Sequence, residues 1–445
     1  MLEHGPAAVE VTGASAWQHD GHRMHLAGHG TQLESVRAGS LVMDEIRSGR
    51  GDALLLHADR AETRRSGKIL DRWATALEIP LFIWERTEGG VMSWTTPLSA
   101  GGTGLNDTAT RLVLRSQASG ERLVFEASSG RVAVADDNRI TWTAEGPGRL
   151  VAIAAMGDAD LDRSLDLLNR RTLPGLGRQR AQHAEQLQRG GAALRAATIP
   201  GLADAFDWAK VRADALLGAW IAGDRVGLHG PAVHRLLAEG LLAAGLSQLP
   251  RALRRQLDTN EGGDPAEYSK MIAAWTGELP GGSDSARSGR RQERERERPA
   301  DGGHEVIPGS HAIATGQVDA SGIASVLAGA IRSLWGVVPD AQRGVVQIAP
   351  DLAQLGGSAA LSRLRIGRTV LDVRLRWRGE VVSIAIRRGA GPPIAVDCAL
   401  RSAEVGELLV DGQAVTGSRA RFEVRDAHDL QMRLLGGPPL SSAPS

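Results

Sequence analysis

Cysteine is almost missing from this chain: its 445 residues hold one, Cys398. A single thiol excludes an internal disulfide framework and any cysteine-built zinc site within the chain. An excess of either charge is also lacking, since Lys+Arg and Asp+Glu both number 52. Nucleic acid and anionic membrane surfaces recruit proteins through a basic surplus, so neither is expected as a main partner. No run approaches the ~18 apolar residues of a membrane-spanning helix. The opening "MLEHGPAAVEVTG" has neither a basic stretch nor an apolar one behind it, so it carries no mark of a secretion signal. A soluble cytoplasmic protein is the expectation.

Tyrosine and phenylalanine are scarce too, at one and four residues, against ten tryptophans. An indole face can stack on the C–H face of a sugar. A GC-rich coding sequence offers another reading, because it also accounts for the many Ala, Arg and Gly residues. Both stay open.

The length suits two or three domains. Up to about residue 155, short apolar or alternating runs such as "TALEIPLFIWER" (75–86), "ERLVFEAS" (121–128) and "GRLVAIAAM" (148–156) are separated by turn formers. Strands about ten residues apart with no helix between them predict an antiparallel sandwich over 1–157. The first fifty residues show less pattern. After Gly157 the period becomes helical, with Leu161, Leu165 and Leu168 on one face. Helical stretches follow at 178–197, 201–223, 230–246, 249–259, 264–277 and 319–336, making 158–336 a helical region. Within it, 281–303 is almost free of apolar residues and reads as a charged, solvated linker. From 337 to 436 alternation returns, as in "TVLDVRLRW", and predicts a small antiparallel β domain with one wet face. The tail 437–445 has the composition of a disordered segment.

One helical stretch is rich in reactive groups: "GGDPAEYSKMIAAWTGELP" (262–280), with the only tyrosine, Tyr268, and Trp275. Asp264 before Pro265 reads as an N-cap with proline at the first helical position, and Gly277 as the stop. His229 and His234 lack the i, i+4 spacing of a helical metal site, and "GTGLND" (102–107 with its preceding glycine) lacks the lysine and capped helix of a phosphate loop. No metal or cofactor is expected.

Three phrases then resemble a known family. "FDWAKVRADALL" (206–217), "DPAEYSKMIAAWTGELP" (264–280) and "IRSLWGVVPDAQRGVVQIAPDL" (331–352) are similar to the opening barrel helix, a recurring Trp-Thr-Gly-acid-Leu helix and the exit into the C-terminal sheet of the six-hairpin glycosidases. The likeness is to bacterial glycoside hydrolases of the amylo-α-1,6-glucosidase-like kind. It implies β, then α, then β: an N-terminal antiparallel β-sandwich, an (α/α)6-type helical toroid and a small C-terminal antiparallel β domain. The toroid would be incomplete, because the family inserts further hairpins where this chain has its charged linker, and a second copy of the chain could complete it.

The resemblance also implies a chemistry, inverting hydrolysis of a glycosidic bond in an α-glucoside or related small glycoside. Asp264, at a helix mouth, would be the general acid or a hydroxyl ligand; as a plain N-cap it would only accept a backbone N–H. Glu305, in "GHEVIPGSHAIATG", takes the place of the family's second carboxylate, the base. Inversion needs the two carboxyl groups about 6.5–9.5 Å apart. Trp220, Tyr268 and Trp275 could stack on the sugar, and Asp224 in "AGDRVGLHG" stands where the family carries a sugar-binding phrase. The other expectation is a shortened, catalytically inactive relative that binds carbohydrate or a protein partner through an open helical face.

Overall fold

The structure, a computed structural model, describes residues 8–11, 15–21, 24–38, 40–77, 79–98, 103–116, 119–135, 137–221, 231–248, 250, 265–278, 308–401 and 403–435. It is mostly antiparallel β-sheet, with helices between an N-terminal and a C-terminal β region. Compactness divides the chain differently from the three stretches expected of the sequence. One unit comprises Met1–Gln188, Asp214–Leu228 and Ser310–Asp319; the other comprises Arg189–Ala213, His229–Gly309 and Ala320–Ser445. The helices are therefore shared between the two units, each grouped with strands.

The first unit holds two antiparallel sheets. In the described residues the larger has nine strands, with Lys68–Thr75, Leu81–Arg86, Gly148–Ala155 and Arg122–Ala127 adjacent at its centre. The other has seven, among them Ala16–Gly21, Leu41–Arg47, Gly90–Thr95 and Ile140–Ala144. Aromatic rings join the two faces. Trp84 of the larger sheet lies 6.4 Å from Trp94 and 6.0 Å from Trp142 of the smaller, and Phe125 lies 5.3 Å from Trp94. Such tilted and edge-on contacts add about 0.5–1.5 kcal/mol each beyond area burial.

The central strands explain why "LFIW" and "LVAIAA" are continuous apolar runs rather than alternations. Phe82, Trp84, Leu150, Ala152 and Phe125 face the seven-stranded sheet, while Leu81, Ile83, Val151, Ile153 and Val124 face the other way. That second face is covered by the helices Asp158–Arg171 and Leu173–Gly190, through Leu161 and Leu176 with Leu165 and Leu168 beside them. A strand buried on both sides has no wet face to alternate with. The first fifty residues form strands as well, including Met24–His29 and Gln32–Ala38. Gly28 is required there, because an added Cβ would stand 2.5 Å from the Trp17 ring and 2.0 Å from the Gln32 carbonyl.

The second unit combines an antiparallel sheet, seven-stranded in the described residues, with a four-stranded one. In the latter, Val345–Ile348 and Ile394–Ala399 run parallel. The helices Pro231–Ala243 and Ala320–Gly329 pack closely: a Cβ on Gly240 would come within 2.8 Å of the Leu327 Cβ. One sequence expectation fails here. Residues 191–197, expected to continue a helix, include the edge strand Ala193–Ala196, paired with Ser358–Ile366. Gly190 and Gly191 break the helix, and pairing with a distant strand overrides the helix preference of "AALRAA". Tryptophan is a core residue in this protein: Trp17, Trp73, Trp84, Trp94, Trp142, Trp208, Trp275 and Trp335 are all fully buried.

At the heart of the first unit lies a buried ion pair. Asp71, fully buried, accepts two hydrogen bonds from Arg86 Nη1 at 2.9 and 3.0 Å, and one from Trp84 Nε1 at 2.8 Å. Burial pushes the Asp71 carboxyl above the usual carboxylate range, against the pull of Arg86 and Trp84. Replacing Asp71 by Ala leaves the Arg86 guanidinium buried without its counter-charge, which is expected to cost about 3–5 kcal/mol in chemical denaturation. The double variant Asp71→Leu/Arg86→Met should recover most of that loss; failure to recover would mean the pair contributes more than mutual compensation.

Candidate functional site

The helix Pro265–Thr276, which the sequence marks as the mouth of a site, is anchored at its far end in the second unit. Helix ends leave carbonyls without intrahelical partners. Here Thr276 Oγ1 donates to Ile272 O, Gly277 N to Ala273 O, Ala341 N to Ala274 O, and Gly367 N to Trp275 O, at 2.9, 2.8, 2.8 and 2.7 Å. Gly277 sits at φ 72°, the left-handed stop that glycine adopts without strain. Two of the donors belong to other segments: Ala341 follows the strand Val338–Asp340, and Gly367 lies in the turn between Ser358–Ile366 and Thr369–Arg378. The phrases "WTGE" and "VVPDAQRG" are thus physically joined.

Of the residues expected in the site, Asp264, Glu305 and Asp224 lie outside the described residues. Trp220 belongs to the last turn of the helix Leu202–Ile221. Tyr268 and Trp275 are each 2% exposed. The Tyr268 hydroxyl donates to Pro250 O at 3.0 Å, and burial pushes its pKa far above the ordinary phenol value. Both rings are taken up by packing around the helix rather than laid open for stacking, as expected of aromatic residues at helical spacing in a core.

Ionisable clusters that the sequence reading passed over lie elsewhere. The helix Leu202–Ile221 carries charges on an otherwise apolar body. Lys210, fully buried, meets Asp207 at 2.6 Å, donates to Ala192 O at 3.2 Å, and stands 5.5 Å from the centre of the Phe206 ring. Burial lowers the Lys210 pKa and raises that of Asp207, in each case opposed by the partner. Later on the helix, Asp214 lies 2.8 Å from His183 Nε2. One turn before His183, the buried Arg180 donates to Asp59 O at 3.1 Å, and burial pushes it down to about 10. An aspartate beside a half-buried imidazole can orient it and carry a proton. The signal available in the sequence was "FDWAKVRAD", acids and bases in a helix too apolar to leave them all in water.

A cavity of about 330 Å³ in the first unit is lined by Asp59, Arg60, Arg72, Glu85, Arg149 and Arg180, among others. Arg72, Glu85 and Arg149 of this lining belong to a row across four strands: Glu62 stands opposite Arg72, Arg72 opposite Glu85, and Glu85 opposite Arg149. Arg72 reaches Glu62 at 3.0 Å and Glu85 at 3.3 Å, and Arg149 reaches Glu85 at 2.8 Å. Arg60 closes on Glu62 at 2.8 Å. Alternate charges opposite one another stabilise neighbouring strands, so Arg60, Arg72 and Arg149 each have an acidic partner here. Among the described residues, no group of three or more His, Cys, Asp or Glu could hold a metal ion, and no helix is long and apolar enough to cross a membrane.

No sequence profile of a protein family matches the chain, and no curated protein matches it. Among solved structures, the chain aligns with a protein described as a kojibiose phosphorylase from human microbiome, at a TM-score of 0.44 and 6% identity, over 93% of this chain and 95% of that one. It also aligns with a GH127 β-L-arabinofuranosidase from Geobacillus stearothermophilus T6, at 0.19 and 8% identity, over 55% of this chain and 42% of that one. Neither likeness is deep enough to carry an activity across.

Burial by itself would raise the Glu62 carboxyl, but hydrogen bonds from His57, Arg60 and Arg72 outweigh it and hold the group well below its usual range. A depressed pKa contributes stability above the unfolded value, about 4.3, that is lost as pH falls below it. Wild type should therefore lose more stability than Glu62→Gln between pH 5 and pH 3, a window of about one unit either side of that value. Parallel slopes in urea titrations of the two proteins would remove Glu62 from the account.

Proposed function

We propose that this chain is a glycosidase-like protein that hydrolyses a glycosidic bond in an α-glucoside or related small glycoside with inversion. The observation that carries this reading is the joining of two phrases that resemble the six-hairpin glycosidases. The last carbonyls of Pro265–Thr276 are held by Ala341 and Gly367, at the entry to the C-terminal β region. The helix held at that end begins at Pro265, the residue that follows Asp264 in the sequence. In this reading the helices contribute to an incomplete (α/α)6-type toroid, and the protein acts in the cytoplasm on carbohydrate.

Asp264 is assigned as general acid and Glu305 as general base. In an inverting reaction the acid protonates the leaving oxygen while the base takes a proton from water on the opposite face of the ring. The anomeric carbon passes through an oxocarbenium-like state between them. A helix N-terminus stabilises a carboxylate, whereas an acid that donates must hold its proton; closure of the site around the sugar would have to supply the opposing desolvation. Asp224 and Trp220 are assigned to substrate binding. Tyr268 and Trp275 support the site from behind, by fixing the helix that carries Asp264.

A second reading has its own observation. Six helices of ten or more residues occur among the described residues, where a closed six-hairpin toroid uses twelve. An open set of helices leaves acids screened by water and weakens electrostatic preorganisation. The alternative is a non-catalytic relative that binds carbohydrate or a protein partner, or one that a second copy completes as a homodimer.

Purified protein given a panel of α-glucosides should release sugar whose anomer, followed by NMR, is inverted. Asp264→Asn and Glu305→Gln should each lower the rate about a hundredfold or more while sugar binding survives. Sugar binding without turnover in wild type would favour the second reading, and neither binding nor turnover would defeat the carbohydrate assignment altogether.

A further inference from the structure

We infer that the cavity of about 330 Å³ between the strands of the first unit and the helix Leu173–Gly190 binds a small neutral carbohydrate. Its volume lies at the lower end of the ~300–1,000 Å³ range of small-molecule sites. The site uses neither Asp264 nor Glu305, carries no reaction and does not depend on the proposed hydrolysis.

The cavity lies where the sheet changes character. On the face covered by the helix, Ala74 stands opposite Ile83, and two residues away Arg72 stands opposite Glu85. Side chains two apart share a face, so an apolar strip passes directly into the charged row. The helix supplies the other wall. Leu173, Gly177 and Arg180 are spaced by four and three, hence on one side of it, with Pro174 next to Leu173. Gly177 leaves room there, since an added Cβ meets nothing within 4 Å. Ile83, Leu173 and Pro174 offer an apolar surface to the C–H face of a ring.

The polar side is a fixed array of donors and acceptors. Arg72 donates from Nε to Glu62 at 3.0 Å and from Nη1 to Glu85 at 3.3 Å. Arg149 Nε donates to Glu85 at 3.0 Å, and Arg60 donates to Glu62 and Asp59 at 2.8 and 2.9 Å. Pairing holds these long side chains in place, so a ligand need not order them. Pairing does not exhaust them: a guanidinium carries five N–H groups and a carboxylate about four lone-pair positions. The Arg72, Glu85 and Arg149 side chains are 38%, 35% and 37% exposed, so a ligand can reach them. A hydroxyl donates and accepts at once. Adjacent hydroxyls of a sugar therefore bridge neighbouring guanidinium and carboxylate groups without parting an ion pair. An anion has to compete with Asp59, Glu62 and Glu85 for the same arginines, and a cation with the arginines for the same acids. The array selects a neutral polyol, and the apolar wall selects one with a ring.

The test is equilibrium dialysis of the full chain against radiolabelled maltose, lactose and trehalose, with glucuronate as the charged control. Carrying Asp264→Asn/Glu305→Gln, the chain consumes no sugar during the measurement. At least one neutral disaccharide should bind, and raising salt about tenfold should leave its affinity unchanged, because screening acts on charges. Adding Gly177→Leu fills the cavity and should lower the sugar bound at saturation by one per chain. The same change replaces a helical glycine, so melting should occur at or above the parent temperature and separate lost binding from lost folding. Arg149→Gln, at a partly exposed pair, should weaken binding about three- to tenfold with folding unchanged. In the otherwise wild-type chain, Gly177→Leu should leave any hydrolysis at its full rate, so the two sites fail or stand separately. Binding of none of the neutral sugars, tighter binding of glucuronate, or saturation unchanged by Gly177→Leu would overturn the inference.

Discussion

Four carbonyl oxygens at the end of the helix Pro265–Thr276 set the direction of everything proposed for this protein. Each has a donor, and two of those donors come from the β region that follows. A helix rises about 1.5 Å per residue, so these twelve residues form a rigid rod of roughly 18 Å with one end held. Gly277 makes the anchor possible, since the left-handed turn there lets the chain leave while Ala341 and Gly367 approach. Buried Tyr268 and Trp275 complete the clamp. In this account an acid at the helix mouth owes its position to packing at the helix's far end: strand register places the turn, the turn places the donor, and the donor places the rod.

Much of this was legible in the sequence, for identifiable reasons. The stop at Gly277 was readable because only a few residues tolerate φ near 72°. The wet-faced strand Thr369–Arg378 was readable because its alternation is almost unbroken, and Leu371, Val373 and Leu375 are buried as it implies. The stripe of Leu161, Leu165 and Leu168 was readable as a helix face. What it covers was not, because the sheet beneath is assembled from segments far apart in the chain. The strand Ala193–Ala196 was misread for a related reason: its partner lies more than 150 residues away, and no local preference reports that. The tryptophans gave an ambiguous signal that burial resolves, since a large flat ring serves a two-sheet core as well as a sugar.

Charge is handled in three distinct ways. Deep in the first unit, Asp71 and Arg86 neutralise one another beside Trp84, where either group alone would be costly. Across four inner strands of the same sheet, Glu62, Arg72, Glu85 and Arg149 alternate from strand to strand, so attraction follows the register. In the second unit, Lys210 is buried on a helix and meets Asp207 of the same helix at 2.6 Å. Overall neutrality, with 52 residues of each sign, conceals this local pairing. Net charge describes solubility and long-range attraction; register decides which charged groups meet.

The central claim is that the mouth of Pro265–Thr276 and the acid at Glu305 converge on one hollow. The chain suits a direct measurement, because its single thiol, Cys398, is buried and its pKa is pushed up to about 12, leaving it inert to labelling. Spin labels attached to the double variant Asp264→Cys/Glu305→Cys report the separation without interference. Side chains whose carboxyl groups stand about 6.5–9.5 Å apart must give a dipolar-broadened spectrum that disappears when either label is omitted. A spectrum equal to the sum of the two singly labelled proteins would place the acids apart and contradict the account.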